Sequence, residues 1–184
     1  MRHMRFTFII IAGAALSLAA YYLVREYGDD AMPVPDVQNV LPLQEGLPSR
    51  VEKKRQAIAR AALTRDYEAF SSLMREEEFK YSFGGGYEGG FIQFLKDADE
   101  RSGKSTFDTM LALLRLSYGT QLAYYVWPAV FTKSSEEWTE DDLFQLRQIA
   151  TEEEIEGYRR FGAYIGYRIG IRDDGTWVYY IAGD

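Results

Sequence analysis

Apolar and polar residues alternate near the C-terminus, with Ile165, Tyr167, Ile169 and Ile171 on one parity and Gly166, Arg168, Gly170 and Arg172 on the other. A period of two marks a strand with one buried face. A second arm, Trp177 to Ala182, follows Asp173-Asp174-Gly175, turn chemistry in which glycine takes the positive-φ position at little cost. A three-residue loop with Gly175 as a bulge pairs Ile171 with Trp177, Ile169 with Tyr179 and Tyr167 with Ile181. That register gathers most of the large apolar side chains on one face, as a single core requires. It leaves Tyr180 opposite Arg168 on the other face.

The same reading places helices upstream. Ser49 and Glu52 form a capping-box pattern that opens a helix to about Thr64. A shorter helix runs from Asp66 to Met74, and Glu78 to Phe83 alternates as a strand with Phe79, Tyr81 and Phe83 inward. Phe91 to Ala98 and Ser105 to Ser117 are helical in pattern, the second with Asp108 as capping partner and Gly119 as its stop. Gln121 to Phe131 reads as a buried strand that Pro128 must end, bend or send to an edge. Thr139 with Asp142, then Thr151 with Glu154, cap a helix and its continuation through Ile155 and Tyr158. The sum is an α+β domain, an antiparallel sheet packed on helices.

The N-terminus follows different rules. Phe6 to Val24 is a run of 19 residues without a charge, preceded by Arg2 and Arg5. Its length fits a membrane anchor through residues 6–24 or a cleaved signal peptide. Basic residues before the run and Asp29-Asp30 after it place the N-terminus inside, so the remainder is exported: periplasmic or extracellular on an inner-membrane anchor, secreted if the leader is cleaved. Residues 28–48 hold four of the five prolines and show no period, which reads as a linker. The expected organisation is therefore leader 1–27, linker 28–48 and domain 49–184.

Charge and composition narrow the chemistry. The net charge of −7 splits into +2 over residues 1–27 and −9 over the rest. An acidic domain disfavours nucleic acid, which needs clustered basic residues to release counterions. Nine of the acids lie between Glu136 and Glu156, where the first turns of helices favour them. There is no cysteine, and the only histidine is His3 in the leader. Thiolate catalysis, disulfides, and histidine-based triads or metal sites in the domain are excluded. Gly84-Gly85-Gly86-Tyr87-Glu88-Gly89 matches a dinucleotide loop in form, but Glu88 sets a carboxylate where a pyrophosphate belongs. It reads as a turn or a pocket lid. No cofactor and no metal are expected.

Two sets of residues remain as candidates. Tyr81, Tyr167, Trp177 and Tyr179 line a ligand cavity or, more simply, form an aromatic core. Gly166, Arg168 and Gly170, with Tyr180 opposite, leave an arginine over bare backbone, a face for a partner's carboxylate or a place where the strand bends.

Two stretches resemble the NTF2-like (SnoaL-like) superfamily. One is Arg55 to Leu95, with Thr64-Arg65-Asp66-Tyr67-Glu68-Ala69-Phe70 and Tyr87-Glu88-Gly89-Gly90-Phe91; the other is the closing hairpin with Asp174-Gly175-Thr176-Trp177. The resemblance implies a cone of curved antiparallel sheet wrapped on helices, often around an apolar pocket and often dimeric. Enzymes of this type commonly pair Asp with His or Arg, and this domain has no His. The expectation is an exported, membrane-tethered envelope domain that binds a small ligand or a protein partner without catalysis. The partner would be a second copy or an envelope protein. The alternative is a pocket enzyme moving protons through a carboxylate with Tyr and Arg groups.

Overall fold

The computed structural model describes residues 39–75, 77–81 and 87–183. The leader 1–27, Phe83 and the glycines 84–86 lie outside them. Among the described residues no helix is long and apolar enough to cross a membrane. Six α-helices and a four-stranded antiparallel sheet make up this part: α1 (Ser49–Thr64), α2 (Tyr67–Leu73), α3 (Gly90–Ser102), α4 (Thr106–Arg115), β1 (Gly119–Gln121), β2 (Tyr124–Trp127), α5 (Glu140–Leu146), α6 (Glu152–Phe161), β3 (Arg168–Arg172) and β4 (Trp177–Ile181). The sheet order is β1-β2-β3-β4, each strand antiparallel to the next.

The main core lies between α1, α4 and the inner face of the sheet. Val51, Ile58 and Ala62 of α1 meet Met110 and Leu114 of α4, and Trp127, Ile169, Ile171 and Trp177 close it from the sheet. Phe70, Phe79 and Phe91 ring the Trp177 indole with centroids 4.6 to 5.8 Å away. A second, smaller cluster forms around Val130, Leu143, Leu146, Ile155 and Tyr164.

The turn and the first pair of the hairpin follow the predicted register. Ile171 faces Trp177, and Gly175 has φ +85°. Beyond that pair the expectation fails. Val178 is an extra residue, so Gly170 faces Tyr179, Ile169 faces Tyr180 and Arg168 faces Ile181. A bulge of one residue reverses the parity of everything after it. Tyr180 thus turns into the core with no exposed surface, and Tyr179 lies across Gly170, whose missing side chain makes room for the ring. The Val178 carbonyl accepts the Lys80 N–H (2.9 Å), while the Tyr180 N–H donates back to Lys80 (3.0 Å). The segment read as a strand from Glu78 therefore adds to β4 by an isolated parallel bridge.

Other boundaries differ for local reasons. Pro48, not Ser49, is the N-cap of α1, and Glu52 is spent on Arg55 (2.8 Å) and Gln56 (2.5 Å) instead of the cap. Asp108 pairs with Arg65 (3.2 Å), and the Thr106 N–H at the start of α4 goes to Asp99 (2.7 Å). Gly119 opens β1 because α4 has already ended at Arg115. The run from Gln121 is a hairpin corner at Leu122 followed by β2. It stops at Trp127 before the cis Trp127–Pro128 bond, as the proline required. Both threonine capping boxes, Thr139 with Asp142 and Thr151 with Glu154, are present, at the heads of two separate helices.

Residues 39–48, read as the end of a linker, are strapped to the folded unit. Leu41 is buried, and its N–H and carbonyl are both held by the Gln56 amide (3.0 and 2.9 Å). The buried Arg55 guanidinium donates to Pro42 (3.1 Å) and to Leu114 (2.7 and 2.9 Å). Gln44 donates to Leu116 (2.6 Å) and accepts from the Trp127 indole (2.9 Å).

Candidate functional site

The structure disperses the aromatic set expected to share a cavity. Trp177 has no exposed surface and belongs to the core. Tyr81 borders a small recess of about 140 Å³ with Met74, Phe79 and Phe91. Tyr179, moved to the outer face by the bulge, borders a surface recess of about 250 Å³ with Tyr124 and Phe131. Tyr167 alone reaches a larger cleft.

The expected partner face is likewise filled from within. Arg168 is buried, donates to the Gly183 carbonyl and stands 4.4 Å over the Phe131 ring. Gly170 is covered by Tyr179, and Tyr180, expected opposite Arg168, is in the core. The guanidinium does not stand over open backbone, because the bulge brought a tyrosine there. Gly166 lies elsewhere, on the same cleft as Tyr167.

That cleft, about 320 Å³, opens between α3, α4, α6 and the segment leading into β3. It lies where the two apolar clusters meet, and Ile149 packs against both. Gly162, with φ +91°, stops α6 and turns the chain so that Tyr158, Tyr164 and Tyr167 converge. Tyr158 and Tyr164 pack edge to face with centroids 5.1 Å apart. The Tyr164 hydroxyl donates to the Tyr167 carbonyl (2.7 Å). Both Tyr158 and Tyr164 hydroxyls crowd the Cα of Gly166, where a side chain would collide with them. Tyr167 stacks almost parallel on Tyr180, at 4.9 Å and 7°. One ring of the cleft is thus fixed from behind by a core residue.

Polar side chains make up more than half of its border, and one buried hydroxyl among them is unsatisfied. Thr106 is buried and borders the cleft, yet its Oγ1 has no hydrogen-bond partner. A buried hydroxyl left unpaired costs about 1–3 kcal/mol. The Tyr180 hydroxyl, buried behind Tyr167, is also unpaired. Lys104 and Glu154 stand exposed on the border. Thr151 holds the Glu154 carboxyl below its ordinary range through its backbone N–H (2.7 Å) and hydroxyl (3.0 Å), with Lys104 adding to the effect. Burial pushes the phenols of Tyr158, Tyr164 and Tyr167 up, so they stay protonated at neutral pH.

A larger depression of about 530 Å³ lies between Gly103–Ser105, with Asp108 of α4, and the segment Arg147–Thr151. Its Asp108 and Arg147 are already in ion pairs, with Arg65 and Glu152. It holds none of the buried unpaired atoms and is a weaker candidate. Among the described residues no three metal-ligating side chains converge.

Of the residues singled out in the sequence, Tyr167 from the aromatic set and Gly166 from the expected partner face border this cleft, whereas Tyr158, Tyr164 and Thr106 were in neither set. Tyr158 and Tyr164 were visible as aromatics on either side of a helix-stopping glycine. Nothing in the sequence marked Thr106, whose burial and unpaired oxygen come from tertiary packing. Compared with protein-family models, curated proteins and solved structures, the chain matches none.

Proposed function

We propose that the chain is an exported, membrane-tethered binding domain that takes a small molecule in the tyrosine cleft and does not transform it. The observation that carries this reading is a cleft of about 320 Å³ on which Tyr158, Tyr164 and Tyr167 converge. Ligand clefts of this size are lined by aromatic side chains with placed polar groups that fix orientation. The charge-free run Phe6 to Val24 supports the tether and the export. The fold is read as a variant of the NTF2-like cone, in support of which α1 and α4 pack on one face of the sheet.

The proton-transfer alternative has less behind it. A general acid or base at neutral pH needs a carboxyl pushed up or a phenol brought down. Glu154 is held ionised and the cleft tyrosines are held protonated, the opposite of that arrangement. Native mass spectrometry of the full chain, purified from envelopes in mild detergent, tests the binding role. A small molecule should travel with the protein and be lost from Ala182→Phe, which fills the cleft from its border. Equal retention by the filled variant, or no bound molecule in either protein, would overturn the reading.

A further inference from the structure

Away from the cleft, residues 41–45 are held as a bound peptide is held. Most of the bonds read main chain. The Gln56 amide accepts the Leu41 N–H (3.0 Å) and donates to the Leu41 carbonyl (2.9 Å), Arg55 donates to the Pro42 carbonyl (3.1 Å), and the Tyr118 hydroxyl donates to the Glu45 carbonyl (3.0 Å). Two side chains are read as well. Leu41 enters the core, and Gln44 bridges the Leu116 carbonyl and the Trp127 indole. Main-chain bonds give affinity and side-chain contacts give specificity when a peptide is recognised. The occupant that this groove fits is a sequence that every copy of the chain carries.

The link that keeps each strap in its own groove is slight. Only the turn from Gln44 to Pro48 joins it to α1, and the backbone bond across that turn, from the Leu47 N–H to the Gln44 carbonyl, is 3.5 Å long. Gly46 sits there at φ +82°, a conformation that other L residues resist, and a Cβ on it would stand 2.7 Å from the Tyr118 hydroxyl. Opening also has a local compensation. Glu52 braces Arg55 and Gln56 while the groove is filled, yet it stands three residues after Ser49, at capping-box spacing, and has that second use while the groove is empty.

We propose that two copies of the chain exchange straps, residues 41–45 of each lying in the groove of the other with the turn extended. Every contact of the strap is kept in the exchange and only the turn opens, so the balance rests on the turn and on the concentration of chains.

Native mass spectrometry of the full chain in mild detergent tests this. The unaltered chain should give a dimer whose share rises with concentration. Gly46→Val, at an exposed position, penalises the closed turn and leaves the extended one free, so it should raise the dimerisation constant about tenfold or more. Complementation separates exchange from pairing through any other surface. Leu41→Asp breaks the strap and keeps the groove, whereas Gln56→Ala breaks the groove and keeps the strap. Each variant alone lacks an intact site, but a mixed dimer holds one. The two changes act on the same contact, so their effects do not add. Coexpressed under different tags, the mixed pair should exceed the two homodimers together about threefold or more, where random pairing gives equal amounts. Monomer alone from the unaltered chain, an unchanged constant for Gly46→Val, or random pairing in the mixture overturns the exchange. If Leu41→Asp or Gln56→Ala does not fold, Gly46→Val decides alone.

Discussion

The two apolar clusters are held by different forces. Around Trp177 the chain relies on area: large rings and aliphatic side chains with almost no exposed surface, drawn from α1, α2, α4 and both arms of the hairpin. Around Leu146 it relies on ends. The helices there are short, α5 having seven residues and α6 ten, and each is opened by a reciprocal capping box. Asp142, 6% exposed in its side chain, ties its cap to Lys133 at 2.8 Å. Helices this short are marginal without tertiary help. The first cluster should therefore be nearly indifferent to acid, and the second should not. The cleft lies on the seam between them, so it inherits the weaker side's sensitivity.

The bluntest way to break the comparison is Trp177→Ala, which empties the centre of the aromatic ring set. It should cost about 3–5 kcal/mol at every pH, read as a fall in the denaturation midpoint. Asp142→Ala should cost about 2 kcal/mol near neutrality, since it removes both the cap and the partner of Lys133. Burial alone would raise the Asp142 carboxyl, but the Lys133 and Thr139 bonds outweigh it and hold the group below its ordinary range. A depressed folded value means the stabilisation is complete above the unfolded value, near 4, and drains away as pH falls through the folded one. The penalty of Asp142→Ala should thus shrink below about pH 4, whereas that of Trp177→Ala should not. Amide exchange should quicken over residues 139–161 before 49–64 in the Asp142 variant; equal quickening would mean the clusters open as one. The smallest effect is Thr151→Ala, about 1 kcal/mol, again confined to the second cluster.

The elements that could be read in advance were those whose cause is local. A threonine three residues before an acid announces a cap whatever lies around it, and Asp173-Asp174-Gly175 fixed its own turn and the Ile171–Trp177 pair. Ser49 looked the same but follows Pro48, and Glu52 found better partners in Arg55 and Gln56. The bulge at Val178 depended on two distant facts, the bare Cα of Gly170 and the Lys80 backbone waiting at the edge of β4. Simple alternation through Trp177-Val178-Tyr179-Tyr180 could not represent it, and it exchanged the fates of Tyr179 and Tyr180. The cleft was less visible still, because its border comes from residues as far apart as Ala98 and Ala182.

The strap over residues 41–44 has a mechanical meaning. Tension arriving at Asn39 from the preceding chain cannot peel α1 from its first residue. It must first shear the paired amide bonds between Gln56 and Leu41, then the hold of Arg55 on Pro42 and of Gln44 on Leu116. Bonds loaded side by side yield together instead of unzipping singly, so the domain meets a pull with a small latch before its own helix is strained.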